Sequence, residues 1–176
     1  MVKEIARQIE IPQGVTVELA DPIVTVTGPK GQISRKISYP EIEIKKEDSI
    51  VVVNTRLNRK RQRAMVGTLA AHIANMIAGV TKGFEYRMKV VYSHFPIQLK
   101  TTSREVVINN FLGERRPRTA RILPGAKVEV MKDEVVITGI DKETVGQTMA
   151  NIEQATRVRG FDVRVFQDGV YLVERM

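Results

Sequence analysis

The 176-residue chain has no cysteine and no tryptophan, and only 5% of it is aromatic. Without cysteine there is no disulfide, no thiolate nucleophile and no cysteine-ligated zinc, and the cytosol is the natural compartment. There are two histidines, His72 in a helical stretch and His94 near the chain's middle. Neither has a serine or carboxylate partner at a telling spacing, and a lone helical histidine is more often packed or solvated than catalytic. No window approaches eighteen uninterrupted apolar residues, so no transmembrane helix is expected. The opening Met1–Pro12 lacks an apolar h-region and a small-residue cleavage site, so no signal peptide is expected. Gly28-Pro29-Lys30-Gly31 lacks the spacing of a nucleotide P-loop, and Met65, Met76 and Met88 read as core filler. An enzyme acting on a nucleotide or acidic metabolite would need a perturbed acid or base in a pocket, and no such set is offered. No cofactor, metal or small-molecule substrate is expected.

What is present is apolar residue enough for packed cores, at 43%, and a net charge of +8 with a pI near 9.9. Basic residues exceed acidic ones in both halves of the chain. Such a balance favours a polyanionic partner and says nothing about fold.

The two halves repeat one order of elements, and a repeat of this kind governs the fold. Val24-Thr25-Val26 matches Val106-Val107-Ile108, and the polar hairpin Lys46-Glu47-Asp48 matches Lys132-Asp133-Glu134. Gly67 pairs with Gly146, Ile73 with Ile152, and Gly83-Phe84 with Gly160-Phe161. Alternation at Val15, Val17, Leu19 and at Ile42, Ile44 indicates strands with one buried face. The fold class expected is α+β, in two tandem duplicated domains, each a small antiparallel sheet covered by one main helix. The domains expected are 1–92 and 93–176, with the strand at Tyr86–Val91 closing the first and Ser93-His94-Phe95-Pro96 as the link.

Three stretches carry the candidate chemistry. Arg56–Arg63 is the densest positive run; Arg59, Lys60, Arg61 and Arg63 lie at the start of the first helix, with Asn58 as its expected N-cap. Cations at the positive end of a helix cost about 0.3–1 kcal/mol each, which suggests an external anion such as phosphate. In the second stretch, a loop bracketed by Gly113 and Pro117 projects Arg115, Arg116, Arg118 and Arg121 against one internal acid, Glu114. Arginine's planar fork suits bidentate phosphate contacts.

The third runs from Asp141 to Gly169. Asp141 caps a helix whose apolar stripe is Val145, Met149 and Ile152. Gly160 is expected to stop that helix, Phe161, Val163 and Val165 to alternate as a strand, and Gln167-Asp168-Gly169 to turn. Its polar face offers Gln147, Asn151 and Gln154 as well as Arg157, Arg159 and Arg164, a phosphate-and-sugar chemistry rather than an enzyme pocket. The amides could serve RNA or bond the neighbouring Asn109 loop. No zinc-finger, basic-zipper or helix-turn-helix pattern accompanies these clusters, and no clustered aromatics suggest a stacking platform. Shape and backbone recognition of structured RNA is the reading that remains. A protein-interaction module working through exposed strand edges is the alternative.

These stretches also carry a resemblance. YSHFPI at 92–97, NNFLGERRPR at 109–118, VGQTMANIEQAT at 145–156 and RVFQDGVY at 164–171 resemble the large-subunit ribosomal protein L-six family, in its archaeal and eukaryotic branch. TVTGPKG at 25–31 and IANMIAGVTKGFEYRMKVVY at 73–92 are looser matches in the right order. The chain departs from the bacterial pattern, whose closing segment is rich in Lys, Gly and Tyr, so bacterial C-terminal contacts are not carried over. The resemblance implies a cytoplasmic, non-enzymatic ribosomal protein that binds large-subunit rRNA near the translation-factor site and the sarcin–ricin loop. It implies neighbouring large-subunit proteins as partners, translation factors nearby, and no membrane. It implies that the second domain makes much of the rRNA contact, with the first more peripheral. Residue by residue, that points to Asn109, Asn110, Arg115, Arg116, Arg118 and Arg121 in the loop. It adds Arg157, Arg159, Arg164, Gln167 and Asp168 from the third stretch. Arg59, Lys60, Arg61 and Arg63 are secondary.

Overall fold

Alternating apolar residues build the first unit strand by strand. The computed structural model describes residues 5–57 and 59–175. In it, β1 (Ile5–Glu10), β2 (Thr16–Ala20), β3 (Ile23–Gly28), β4 (Gly31–Lys36), β5 (Glu43–Glu47) and β6 (Ile50–Thr55) precede α1 (Lys60–Thr81). The strands pair antiparallel in two sheets, β2-β3-β4 and β1-β6-β5. Val24 and Val26 of β3 and Val51 and Val53 of β6 meet Val66, Leu69, Ile73, Met76, Ile77 and Val80 of α1 in one core. Each such side chain contributes about 1.5–3 kcal/mol on burial. By length and composition α1 could cross a membrane, yet its apolar stripe is committed to this core, with Val66, Ile73 and Val80 wholly buried.

The β3–β4 turn is fastened to the end of α1. The Lys30 backbone N–H donates to the Val80 carbonyl at 2.9 Å, and the Lys30 ammonium donates to the Lys82 carbonyl. A Cβ on Gly28 would lie 2.7 Å from Val80 Cγ2 and 2.9 Å from the Val80 oxygen, so this approach admits only glycine.

The second unit repeats the plan. β7 (Phe84–Val91), β8 (Gln98–Thr101), β9 (Glu105–Asn109), β10 (Arg118–Arg121), β11 (Ala126–Val130), β12 (Glu134–Gly139), α2 (Lys142–Ala155) and β13 (Gly169–Arg175) follow in order. β8-β9-β10 answers β2-β3-β4, and β7-β12-β11 answers β1-β6-β5. Ile73 and Ile152, paired by sequence, are both fully buried on the two helices. The duplicated α+β architecture is therefore present, with the strands of each unit divided between two sheets rather than gathered in one.

Two expectations are corrected here. The chain divides between Gly83 and Phe84, so β7 opens the second unit instead of closing the first at residue 92. Tyr86, Met88 and Val90 point into the second core, while Lys89 faces Glu134 across the pairing with β12. In the first unit the corresponding place beside β6 is already filled by β1. Residues 161–166 form no strand: α2 ends at Ala155 with Thr156 as its cap, well before Gly160, and 163–165 are a turn. Phe161, Val163 and Val165 alternate in sequence but are 50%, 63% and 60% exposed, so no buried face exists to hold them extended. The last strand instead starts at Gly169, without a turn at 167–169, and pairs with β7.

A candidate nucleic-acid interface

The second unit's β9–β10 connection is longer than the Pro29-Lys30 turn of the first, and its backbone is unusual. Asn110 (φ 58), Leu112 (φ 51) and Gly113 (φ 75) all lie in the left-handed region. For Leu112 that conformation is strained, and strain of this kind gathers at functional loops. Phe111 and Leu112 are buried and hold it, while the Asn110 amide donates to the Pro96 carbonyl at 3.1 Å. Asn109 ends β9, and both asparagines are half-buried.

Arg118 then closes the loop. Its Nε donates to Glu114 Oε2 at 2.8 Å and its Nη2 to Oε1 at 2.5 Å, while Nη1 donates to the Ala155 and Arg157 carbonyls at 3.0 and 2.9 Å. The same guanidinium lies 4.3 Å over the Phe111 ring. Its charge thus sits at the negative end of α2, a favourable place for a cation. The hydrogen bond from Arg118 holds the Glu114 carboxyl below the usual range, against the smaller opposing effect of burial. So Arg118, expected to touch RNA, is occupied as a clamp; sequence spacing shows only its Glu114 partner, because the two carbonyls it also holds lie 37 and 39 residues away.

The clamp fixes two arginine-bearing segments side by side. Arg115, Arg116 and Arg121 are exposed on the loop and β10, and Arg157, Arg159 and Arg164 are exposed beyond α2. Among the described residues, none of these six guanidinium groups has a hydrogen-bond or ion-pair partner. A groove of about 330 Å³ between the segments is lined by Arg118, Thr119, Gln154, Ala155 and Arg159. A second groove, of 460 Å³, runs beside α2's end and is lined by Arg157, Val163, Phe166, Gln167 and Tyr171 among others.

The amides of α2 divide. Gln147 donates to Asn151, whose own amide donates to the Arg121 carbonyl at 2.9 Å. Those two dock α2 on β10 rather than on the Asn109 loop, whereas Gln154 is exposed and lines both grooves. The Gln167 side chain is exposed, and its amide reaches the Arg164 carbonyl at 3.5 Å. Asp168 is corrected outright: it is wholly buried, accepts from the Ser93 backbone N–H at 3.2 Å and lies 3.6 Å from His94 Nδ1. A buried carboxylate aimed into its own protein does not meet RNA; it fastens 93–94 to the start of β13.

In the first unit, Asn58 lies outside the described residues, and Arg59 occupies the N-cap position without a side-chain bond. No acid lies in the first turn of α1, and Arg59, Lys60, Arg61 and Arg63 are exposed, Arg61 over the Tyr39 ring at 5.7 Å.

Sequence reasoning missed an aromatic row. Phe161 packs tilted against Phe166 at 4.8 Å between ring centroids, and Phe166 against His94 at 4.5 Å. Low aromatic content hid it, because these three residues come from two distant stretches.

Among the described residues no cluster of His, Asp or Glu could hold a metal ion. This is a duplicated, basic α+β scaffold that exposes unpaired arginines on one of its two units. The family model described as Ribosomal protein L6 matches residues 11–83 and 95–169, one span in each repeat. The chain is similar to the Large ribosomal subunit protein uL6 of Methanothrix thermoacetophila, 62% identical over 99% of both chains. It is 53% identical to that of Methanosarcina mazei over 99% of both chains, and 56% identical to that of Methanobrevibacter smithii over 97% of this chain and 96% of that one. The chain belongs to the ribosomal protein L6 family, on its archaeal side, and its relatives are ribosomal proteins rather than enzymes.

Proposed function

We propose that the protein is a structural constituent of the large ribosomal subunit in the cytoplasm. It binds large-subunit, 23S-type rRNA near the translation-factor-binding region and stabilises its local structure. The family and the names of its relatives support the subunit. The observation that carries the RNA reading is the Arg118 clamp, which ties the Glu114–Arg118 loop to the Ala155–Arg157 segment while leaving Arg115, Arg116, Arg157 and Arg159 unpaired. Preformed cations of this kind neutralise phosphates without reordering the chain. Asn109, Asn110, Arg121, Arg164 and Gln167 flank this surface, and Arg59, Lys60, Arg61 and Arg63 form a secondary contact from the first unit. Neighbouring large-subunit proteins complete the surroundings, with translation factors nearby.

Binding to transcribed large-subunit rRNA across a salt series tests this reading. Arg115→Ala with Arg116→Ala flattens the dependence of log K on log salt by about one per lost phosphate contact. An unchanged slope would remove the loop from the electrostatic interface.

A further inference from the structure

The row His94–Phe166–Phe161 ends in the open. His94 packs on Phe166 with ring planes 31° apart, and Phe166 on Phe161 with planes 47° apart. Phe161, the last ring, is 50% exposed although it is large and apolar. Its loop is built to hold it there. The Asp162 carbonyl accepts from the Val165 and Phe166 N–H groups at 3.1 and 2.9 Å, and Asp162 Oδ1 accepts from the Arg164 N–H at 2.9 Å. On the inner end, Asp168 lies against His94, and the Tyr171 hydroxyl donates to the Gln167 carbonyl at 3.1 Å. An exposed ring on a fastened loop is a surface ready to stack, with little ordering left to do on binding.

The charge around it selects the partner. Arg159 and Arg164 stand two and three residues from Phe161, both exposed and unpaired, and Arg157 is four residues away. The loop's own acid, Asp162, is engaged in capping the turn. An exposed apolar ring with unpaired arginines within four residues of it in the chain matches a ligand that has a flat π-face and flanking phosphates. From this we infer that Phe161 is the stacking platform for one unpaired nucleobase of RNA, which extends the row by a fourth ring while Arg159 and Arg164 take the adjoining phosphates. This rests on the rRNA reading above and adds to it a contact with an unpaired base, where that reading requires only backbone charge. Stacking of this kind is tolerant of base identity.

The natural chain has no tryptophan, so Phe161→Trp introduces a single indole at the platform. Titration of this full-length variant with transcribed large-subunit rRNA should quench and shift its emission. Phe161→Ala should weaken binding roughly 5- to 150-fold with the salt slope unchanged, because a stacked base carries about 1–3 kcal/mol and no counterion. Phe161→Leu, which keeps an apolar side chain but no π-face, should lose nearly as much. The platform is overturned if RNA binds while the emission of the introduced indole stays constant and the alanine variant binds as the natural chain does. It is likewise overturned if Phe161→Ala keeps RNA affinity but loses a neighbouring ribosomal protein, which would make the ring a protein contact. If the natural chain itself has no affinity for the rRNA, the parent reading fails and the platform with it.

Discussion

Arg118 grips Glu114 with two parallel bonds, at 2.8 and 2.5 Å, and spends its remaining reach on the carbonyls at the end of α2. In the first unit the same task, tying the central hairpin to the helix end, falls to Lys30 through its backbone N–H and its ammonium. The two units share the fastening and differ in its chemistry. The longer β9–β10 loop carries Arg115 and Arg116.

Replacing the clamp should separate positioning from contact. Arg118→Ala strips the Ala155 and Arg157 carbonyls of their donor and leaves Glu114 unpaired, which should cost about 1–3 kcal/mol in urea unfolding. Affinity for rRNA should fall because the loop loses its anchor, while the salt slope stays at the natural value. A slope reduced by one unit would make Arg118 a phosphate contact after all.

Acid should weaken the clamp. The Arg118 hydrogen bond sets the folded Glu114 carboxyl below its ordinary value. The contribution is therefore complete above the ordinary carboxylate value and is lost as pH falls through the lowered folded value. The side chain is 40% exposed, so the effect is small and screened. In parallel urea titrations, the stability gap between the natural chain and Glu114→Gln should close in acid, below the ordinary carboxylate range. The similarly paired Glu43 and Glu129 are present in both proteins and cancel. A gap independent of pH would show that the carboxylate charge does not matter.

Two glycines should respond oppositely to alanine. At Gly28 the added methyl meets Val80 at 2.7 Å and should destabilise by about 1–3 kcal/mol through overpacking. At Gly67, inside α1, nothing lies within 4 Å of the added atom, and helix propensity should stabilise by about 0.5–1 kcal/mol. Thermal unfolding of the two variants reads both signs.

Local patterns in the sequence carried the start and the buried stripe of α2. Asp141 caps α2 by accepting from Glu143 N–H at 3.1 Å, and Val145, Met149 and Ile152 are its buried stripe. The repeat foretold the equivalence of β3 and β9, whose Val24, Val26, Val106 and Ile108 are all buried. Partner choice was not legible: nothing local to Tyr86–Val91 says that β12, rather than β1, receives it. Nor could alternation at Phe161, Val163 and Val165 reveal that no apolar layer covers them. The site was half legible. Residue type found the free arginines, but only the folded chain turns Arg118 and Asp168 inward and brings His94 to Phe166.

The most direct measurement is co-sedimentation of the tagged full-length chain with large ribosomal subunits through high-salt washing. The natural chain should stay with the large-subunit peak, and a variant with Arg115, Arg116, Arg157 and Arg159 changed to Glu should be released at the first wash. Release of the natural chain at low salt, or equal retention of both, would contradict an rRNA-anchored place in the subunit.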